Sequence, residues 1–274
     1  MTGVDEIVSH DLETPDSIQV RFGITYLESD PAAATAAMTM SMSRYRNPFT
    51  GAPTLGPLAI LVDAAAGIVN HYRRRPGQWT VSSELSMDLS LDGIGELDGP
   101  VLATAHALGP LGATSLGICT LTYDGTVIGG GTVRSFFIEA EVDESVWPPE
   151  TLDLSDDTSI ADRMAVHVRP GADGHVLVQR VDPNLNNDIG IVHGGVAAAA
   201  LEFAASAAIN HEGTHGLLQT ASLRVNFLRP FRAGAESRYE GKPLWVGRNA
   251  AVGDATAIGD DGKVALTGRV TAYR

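Results

Sequence analysis

Asn187, His193, Gly194 and Glu202 are the residues of this chain whose types and spacing could do chemistry together. They lie in one stretch, Asn187-Asp-Ile-Gly190-Ile-Val-His193-Gly194-Gly195, which runs into an alanine-rich segment ending near Ile209. The glycines predict a turn. Alanine is the best helix former, and nothing from Val196 to Ile209 breaks a helix. The first N–H groups of such a helix have no intrahelical acceptor, so they favour negative charge or a polarised carbonyl oxygen. Glu202, alone among apolar residues, is costly to bury as an anion without a partner. A carboxylate and an oxyanion-binding helix end in one element point to acyl chemistry.

The elements that must position these residues occur twice. Gly51-Ala-Pro-Thr-Leu-Gly56, followed by an apolar run interrupted by Asp63, repeats the layout of Gly190 through Ala208. Asp63 precedes Glu202 by 139 positions, and Gly51 and Gly56 precede Gly190 and Gly195 by the same distance. Strand-like segments follow each helix: Thr80 to Leu89, Val101 to Leu108, Thr114 to Tyr123 and Thr126 to Phe137 in the first half. The second half has Thr220 to Leu228, Ser237 to Leu244, Ala250 to Ile258 and Lys263 to Tyr273. Asp124-Gly125 and Asp261-Gly262 are hairpin signals between β-rich flanks. Each half therefore reads as an opening strand, a central helix and an antiparallel meander. Between them, an acidic segment with Pro148-Pro149 marks a surface linker.

Composition limits the function. The chain has 274 residues, 44% of them hydrophobic, enough for a substantial core. No apolar run approaches a membrane span, and the start lacks the pattern of a secretory signal, so a cytoplasmic protein with no membrane partner is expected. A net charge of -14 argues against nucleic acid, whose binding rests on neutralising phosphates. Cys119 is the single cysteine, which rules out an internal disulfide or a Cys-rich metal site. Arg73-Arg74-Arg75, the only basic run, reads first as a cationic helix C-terminus, with a ligand role as the alternative. His211-Glu212-Gly213-Thr214-His215 has the form of a zinc motif. Asn210 and Gly213 suggest a helix end there and no third ligand is evident, so no metal is expected.

Asn187-x-x-Gly190-x-x-His193-Gly194-Gly195, the acid at Glu202 and Phe227-Leu228-Arg229-Pro230 resemble the hotdog-fold thioesterases of the phenylacetate-pathway (PaaI-like) type. The resemblance covers most of residues 160–274, and the first half is similar to the same fold more weakly. It implies an α+β double hotdog, two tandem units each with an antiparallel sheet wrapped around a central helix. The units would be residues 1–145 and 161–274, joined by a linker at 146–160. The implied activity is hydrolysis of an acyl-CoA thioester with no cofactor. Gly194 would offer its N–H to the thioester oxygen, His193 and Asn187 would shape the turn, and a helix carboxylate would act as base or nucleophile. Gly195, Gly67, Ser206, Arg229 and Arg248 would contact substrate, the arginines through CoA phosphates. The family's habit of pairing leaves a homodimer of double hotdogs open.

Spacing separates the turn from its own acid. Gly194 and Glu202 are about 12 Å apart along one helix, too far to act on one carbonyl. An antiparallel neighbour could bring its acid to the turn instead. One composite site would then join Asn187, His193 and Gly194 to Asp63. The other would join Glu202 to a first-half turn in which Pro48, Thr54 and Leu55 stand at the matching positions, with Asn47 one residue away. The first is expected to work and the second to be degraded. A non-catalytic acyl-CoA or lipid-binding protein and an enoyl-thioester hydratase are the alternatives.

Overall fold

The sequence repeat becomes two matching runs of elements. The computed structural model describes residues 16–90, 92, 94–139, 148–155, 157–169, 174–211 and 216–274. The first run is α1 (Ser17–Phe22), β1 (Thr25–Asp30), β2 (Thr35–Ser41), α2 (Leu58–His71), β3 (Gln78–Leu89), β4 (Pro100–Leu108), β5 (Thr114–Tyr123) and β6 (Thr126–Glu139). The second is α3 (Ile160–Arg163), β7 (Val166–Val168), β8 (His175–Gln179), a 3-10 turn at Pro183–Leu185, α4 (Gly194–Asn210), β9 (Gln219–Phe227), β10 (Arg238–Val246), β11 (Ala250–Ile258) and β12 (Val264–Tyr273). The strands that follow the two long helices fall within two residues of the bounds expected from sequence. The openings differ from expectation: each is a short helix and two strands, not one strand.

Among the described residues, twelve strands form one antiparallel sheet in the order β1-β2-β4-β5-β6-β3-β9-β12-β11-β10-β8-β7. Exchanging each strand with its counterpart in the other half reverses this order onto itself, which is the signature of a pseudo-twofold axis at the β3–β9 seam. The simple meander is therefore corrected. β3 pairs with β6 and not with β4, and its other edge joins β9 with Leu85 opposite Val225 and Met87 opposite Leu223. An edge strand with free N–H and C=O groups is a template for pairing. Here each half's β3-type edge pairs with the other's.

α2 and α4 lie on the inner face of this sheet. Gly117 of β5 lets the sheet approach the Ala66 carbonyl of α2, and Gly241 of β10 does the same at Ala204 of α4, places where a Cβ would collide with backbone. The two helices run antiparallel, since Gly195 meets Ile60 and Asp63 while Gly56 meets Glu202 and Phe203. Both are apolar on nearly every side because sheet and partner helix together enclose them. Away from the seam, the buried Arg21 of α1 donates to Glu150, Asp182 and the Arg163 carbonyl, and Arg163 donates back to the Arg21 carbonyl.

Candidate active site

His193 is the N-cap of α4, and its Nδ1 accepts from the Gly195 N–H at 3.2 Å. The same N–H donates to Asp63 Oδ2 at 2.6 Å, from the middle of α2. The carboxylate of one half thus sits on the helix end of the other. His193 Nδ1 is 3.5 Å from Asp63 Oδ2. His193 Nδ1 and Asp63 Oδ2 thus share the Gly195 N–H as a donor. Asp63 is 6% exposed, and the His193 side chain, at 19%, reaches the surface. Ser82 on β3 donates to the second carboxylate oxygen at 3.3 Å.

Gly194 is half-buried, and among the described residues nothing accepts from its N–H. A Cβ there would stand 2.8 Å from Asp63 Oδ2 and 3.2 Å from the Phe227 ring, so glycine is required for the carboxylate to come this close. Gly195 was expected to face substrate. Its N–H is engaged by Asp63 and His193, and a Cβ would lie 2.6 Å from the Ile60 Cα, so it serves the helix crossing instead. Asn187 Oδ1 accepts from the Ile189 and Ile191 N–H groups at 3.2 Å each. It closes the turn that aims His193, an Asx-type brace.

Glu202 occupies the matching place on α4 in different surroundings. Thr220 donates to Oε1 at 2.5 Å and Thr54 to Oε2 at 3.0 Å, with Gly56 contributing a backbone N–H. The residue is 1% exposed, and burial pushes its carboxyl above the ordinary range despite those three donors. Phe203 and the Glu202 carboxylate crowd Gly56 within 3 Å of a Cβ position. Asn47, considered as a substitute for Asn187, donates to the Phe203 carbonyl at 3.1 Å and accepts from Phe49 N–H. This end is closed by packing where the Asp63 end is not.

Ser82 and Thr220 did not stand out in the sequence. Each follows its helix on the first strand and donates to the acid of that helix. Both precede a register shift, which leaves Ser83 and Ala221 out of the ladders. They are 138 positions apart, whereas the helices repeat at 139, and the one-residue slip hides the match.

The remaining expected contacts scatter. Gly67 and Ser206 lie one turn beyond Asp63 and Glu202 and are half-buried. Arg229 is exposed just past β9. Arg248 is at the β10–β11 hairpin tip, and Gly253 of that hairpin already packs on Ile209 near the end of α4. Arg248 therefore lies at the opposite end of α4 from His193. Arg232, not singled out from the sequence, instead donates to the Gly190 carbonyl in the turn. Glu212 and His215 of the zinc-like motif lie outside the described residues, as do residues 146, 147 and 156 of the linker.

Comparison with known proteins bears on the fold. Residues 189–266 match the family model described as "Thioesterase superfamily". The chain superposes along nearly its whole length on a tesB protein of Mycobacterium avium subs paratuberculosis, at TM-score 0.60 and 13% identity, covering 93% of this chain and 97% of that one. The fold is the hotdog thioesterase fold. An acyl-CoA thioesterase II from Mycobacterium marinum is similar at TM-score 0.57 and 14% identity, covering 93% and 97%. A 12:0-ACP thioesterase from Umbellularia californica gives 0.57 at 8% identity, covering 88% and 94%. At such identities the likeness to these hotdog proteins is one of fold. No curated protein matches the chain. Within the hotdog frame, both carboxylates sit on central helices, and each faces the helix N-terminus of the opposite half.

Proposed function

We propose that this protein is a double hotdog that hydrolyses acyl-CoA thioesters at a composite site formed by Asp63 of one half and the His193-Gly194 turn of the other. The observation that carries this reading is the 2.6 Å bond from the Gly195 N–H to Asp63, which sets a carboxylate beside a free helix-end donor. The thioester carbonyl oxygen would accept from Gly194 N–H, which stabilises the oxyanion as charge develops. Asp63, with one oxygen held by Gly195 and the other near Ser82, would take a proton from water as that water adds to the carbonyl carbon. The carbon–sulfur bond then breaks, the proton held by Asp63 passes to the departing sulfur, and CoA thiol and the free acid are released. The His193-Gly194-Gly195 turn is what supports assignment to the phenylacetate-pathway type. Glu202 belongs in this reading to a closed pseudo-equivalent pocket with a structural role.

The test is thiol release from a panel of acyl-CoAs. Asp63→Asn is expected to lower kcat/KM by roughly 10²–10⁴-fold, and Glu202→Gln to stay within a few-fold of the parent protein. Loss in the Glu202 variant with Asp63→Asn active would reverse the assignment.

A further inference from the structure

α4 begins at Gly194, level with Asp63, so the C-terminal part of α2 continues past its partner helix. Ala64, Gly67 and Ile68 on that part are half-buried, and a Cβ at Gly67 would have nothing within 4 Å. Beyond this uncovered strip lies a cleft of about 410 Å³ bordered by Arg73, Arg75, Gln78 and Phe137. The eight residues from Asp63 to His71 put its near end roughly 12 Å from the carboxylate along the helix. Gln78 and Ser82 are both even-numbered positions before the β3 bulge, so they share one face of the strand. Cleft and carboxylate therefore lie on the same side of the sheet.

The cleft is cationic in a chain of net charge -14. Arg73 is anchored by the Gly109 carbonyl at 2.9 Å, Ser115 Oγ at 3.2 Å and the Leu108 carbonyl at 3.4 Å. Arg75 is exposed, and among the described residues its guanidinium has no hydrogen-bond or ion-pair partner. Glu139 accepts from the Gln78 amide at 2.9 Å. Arg74 turns away to the His71 carbonyl. The sequence of the other half differs here: 139 positions after Arg73, Arg74 and Arg75 stand Glu212, Gly213 and Thr214, and Ser206 takes the place of Gly67. The arginine run at a helix end thus accompanies Asp63 and not Glu202.

We infer that the Arg73–Arg75 cleft binds a phosphate on the thiol carrier of the substrate, with the carrier's arm lying along Ala64, Gly67 and Ile68. The inference rests on the thioesterase reading above. Guanidinium groups suit phosphate because they donate in a fixed fork. The phosphate could be that of the pantetheine arm, shared by CoA and carrier proteins, or one of the nucleotide phosphates found only in CoA.

The experiment compares the parent protein with Arg75→Glu on three thioesters of one acyl group: CoA, 4′-phosphopantetheine and N-acetylcysteamine. For acyl-CoA, kcat/KM is expected to fall by about tenfold or more, through KM, while the phosphate-free N-acetylcysteamine ester is unaffected. An equal fall with the phosphopantetheine ester assigns the arm's phosphate, and a fall confined to acyl-CoA assigns the nucleotide. Equal loss on all three, or loss on none, overturns the inference. Calorimetric binding of free CoA separates it from the hydrolysis itself. A parent protein that binds CoA but cleaves nothing, with binding weakened in Arg75→Glu, upholds the cleft and fails the thioesterase reading. Absent CoA binding, or binding unchanged in the variant, overturns the cleft.

Discussion

Asp63 and Glu202 show how one backbone place can give two carboxylates different lives. Asp63 has the shorter side chain, the two glycines that open α4 against it, and an imidazole open to solvent beside it. Glu202 reaches one methylene further into a pocket sealed by two threonines. Its raised pKa has a stability consequence. A carboxyl whose pKa is higher in the fold than in the unfolded chain favours the fold fully below its unfolded value, near 4.5, and that contribution is lost as pH rises through the folded value. Glu202→Gln removes the cost of ionisation in the buried site. The melting temperature of the variant relative to the parent is therefore expected to be highest at pH 8 and to decline as pH falls toward 4.5. A difference that stays flat across this range would show that Glu202 does not titrate against its burial. His193 and Gly194 were legible as residues because turn glycines and a helix start have local signatures. The hydroxyls of Ser82 and Thr220 were not, since a serine on a strand has no local mark of the acid it will meet.

At the scale of elements, glycines divide into those that permit contact and those that leave space. Gly195→Ala would drive a Cβ to 2.6 Å from the Ile60 Cα, where backbone must move. It should cost about 1–3 kcal/mol in chemical denaturation and displace Asp63 from the helix end, with activity falling alongside. Gly67→Ala meets nothing. It should stabilise the protein by about 0.5–1 kcal/mol, because alanine fixes a helix better than glycine. Gly67→Leu, which projects into the open strip, should raise KM for acyl-CoA while leaving the melting temperature near that of the parent. An unchanged KM would mean that no substrate runs along α2. Helix and strand bounds were readable in the sequence because hydrophobic period and turn residues are local. The displacement of β3 to the seam was not, since a strand's period says which faces are buried and is silent on its neighbour.

Over the whole molecule, the pseudo-twofold sheet and the crossed helices make each half incomplete without the other. Heat unfolding is accordingly expected to show one calorimetric transition, and two resolved transitions would show that the halves fold independently. Arg21 joins the halves away from the seam, through Glu150, Asp182 and the reciprocal carbonyl bonds with Arg163. Its side chain is 3% exposed while those of its acidic partners are 17% and 22% exposed, so solvent screens part of the attraction. Arg21→Ala should lower stability by about 1–3 kcal/mol, measured by urea unfolding.

The sequence by itself determined the repeat, the two helices with their acids, most of the strands and the glycine turn, because each is written in spacing and intrinsic preference within a few residues. It also implied, through helix rise alone, that Gly194 and Glu202 could not share a carbonyl. Only the tertiary structure decided the sheet order, the bond between Gly195 and Asp63, the sealing of Glu202 and the opposite location of Arg248. Those depend on pairing between segments more than a hundred residues apart, where the partner is chosen by packing of the whole core and leaves no mark in the local pattern.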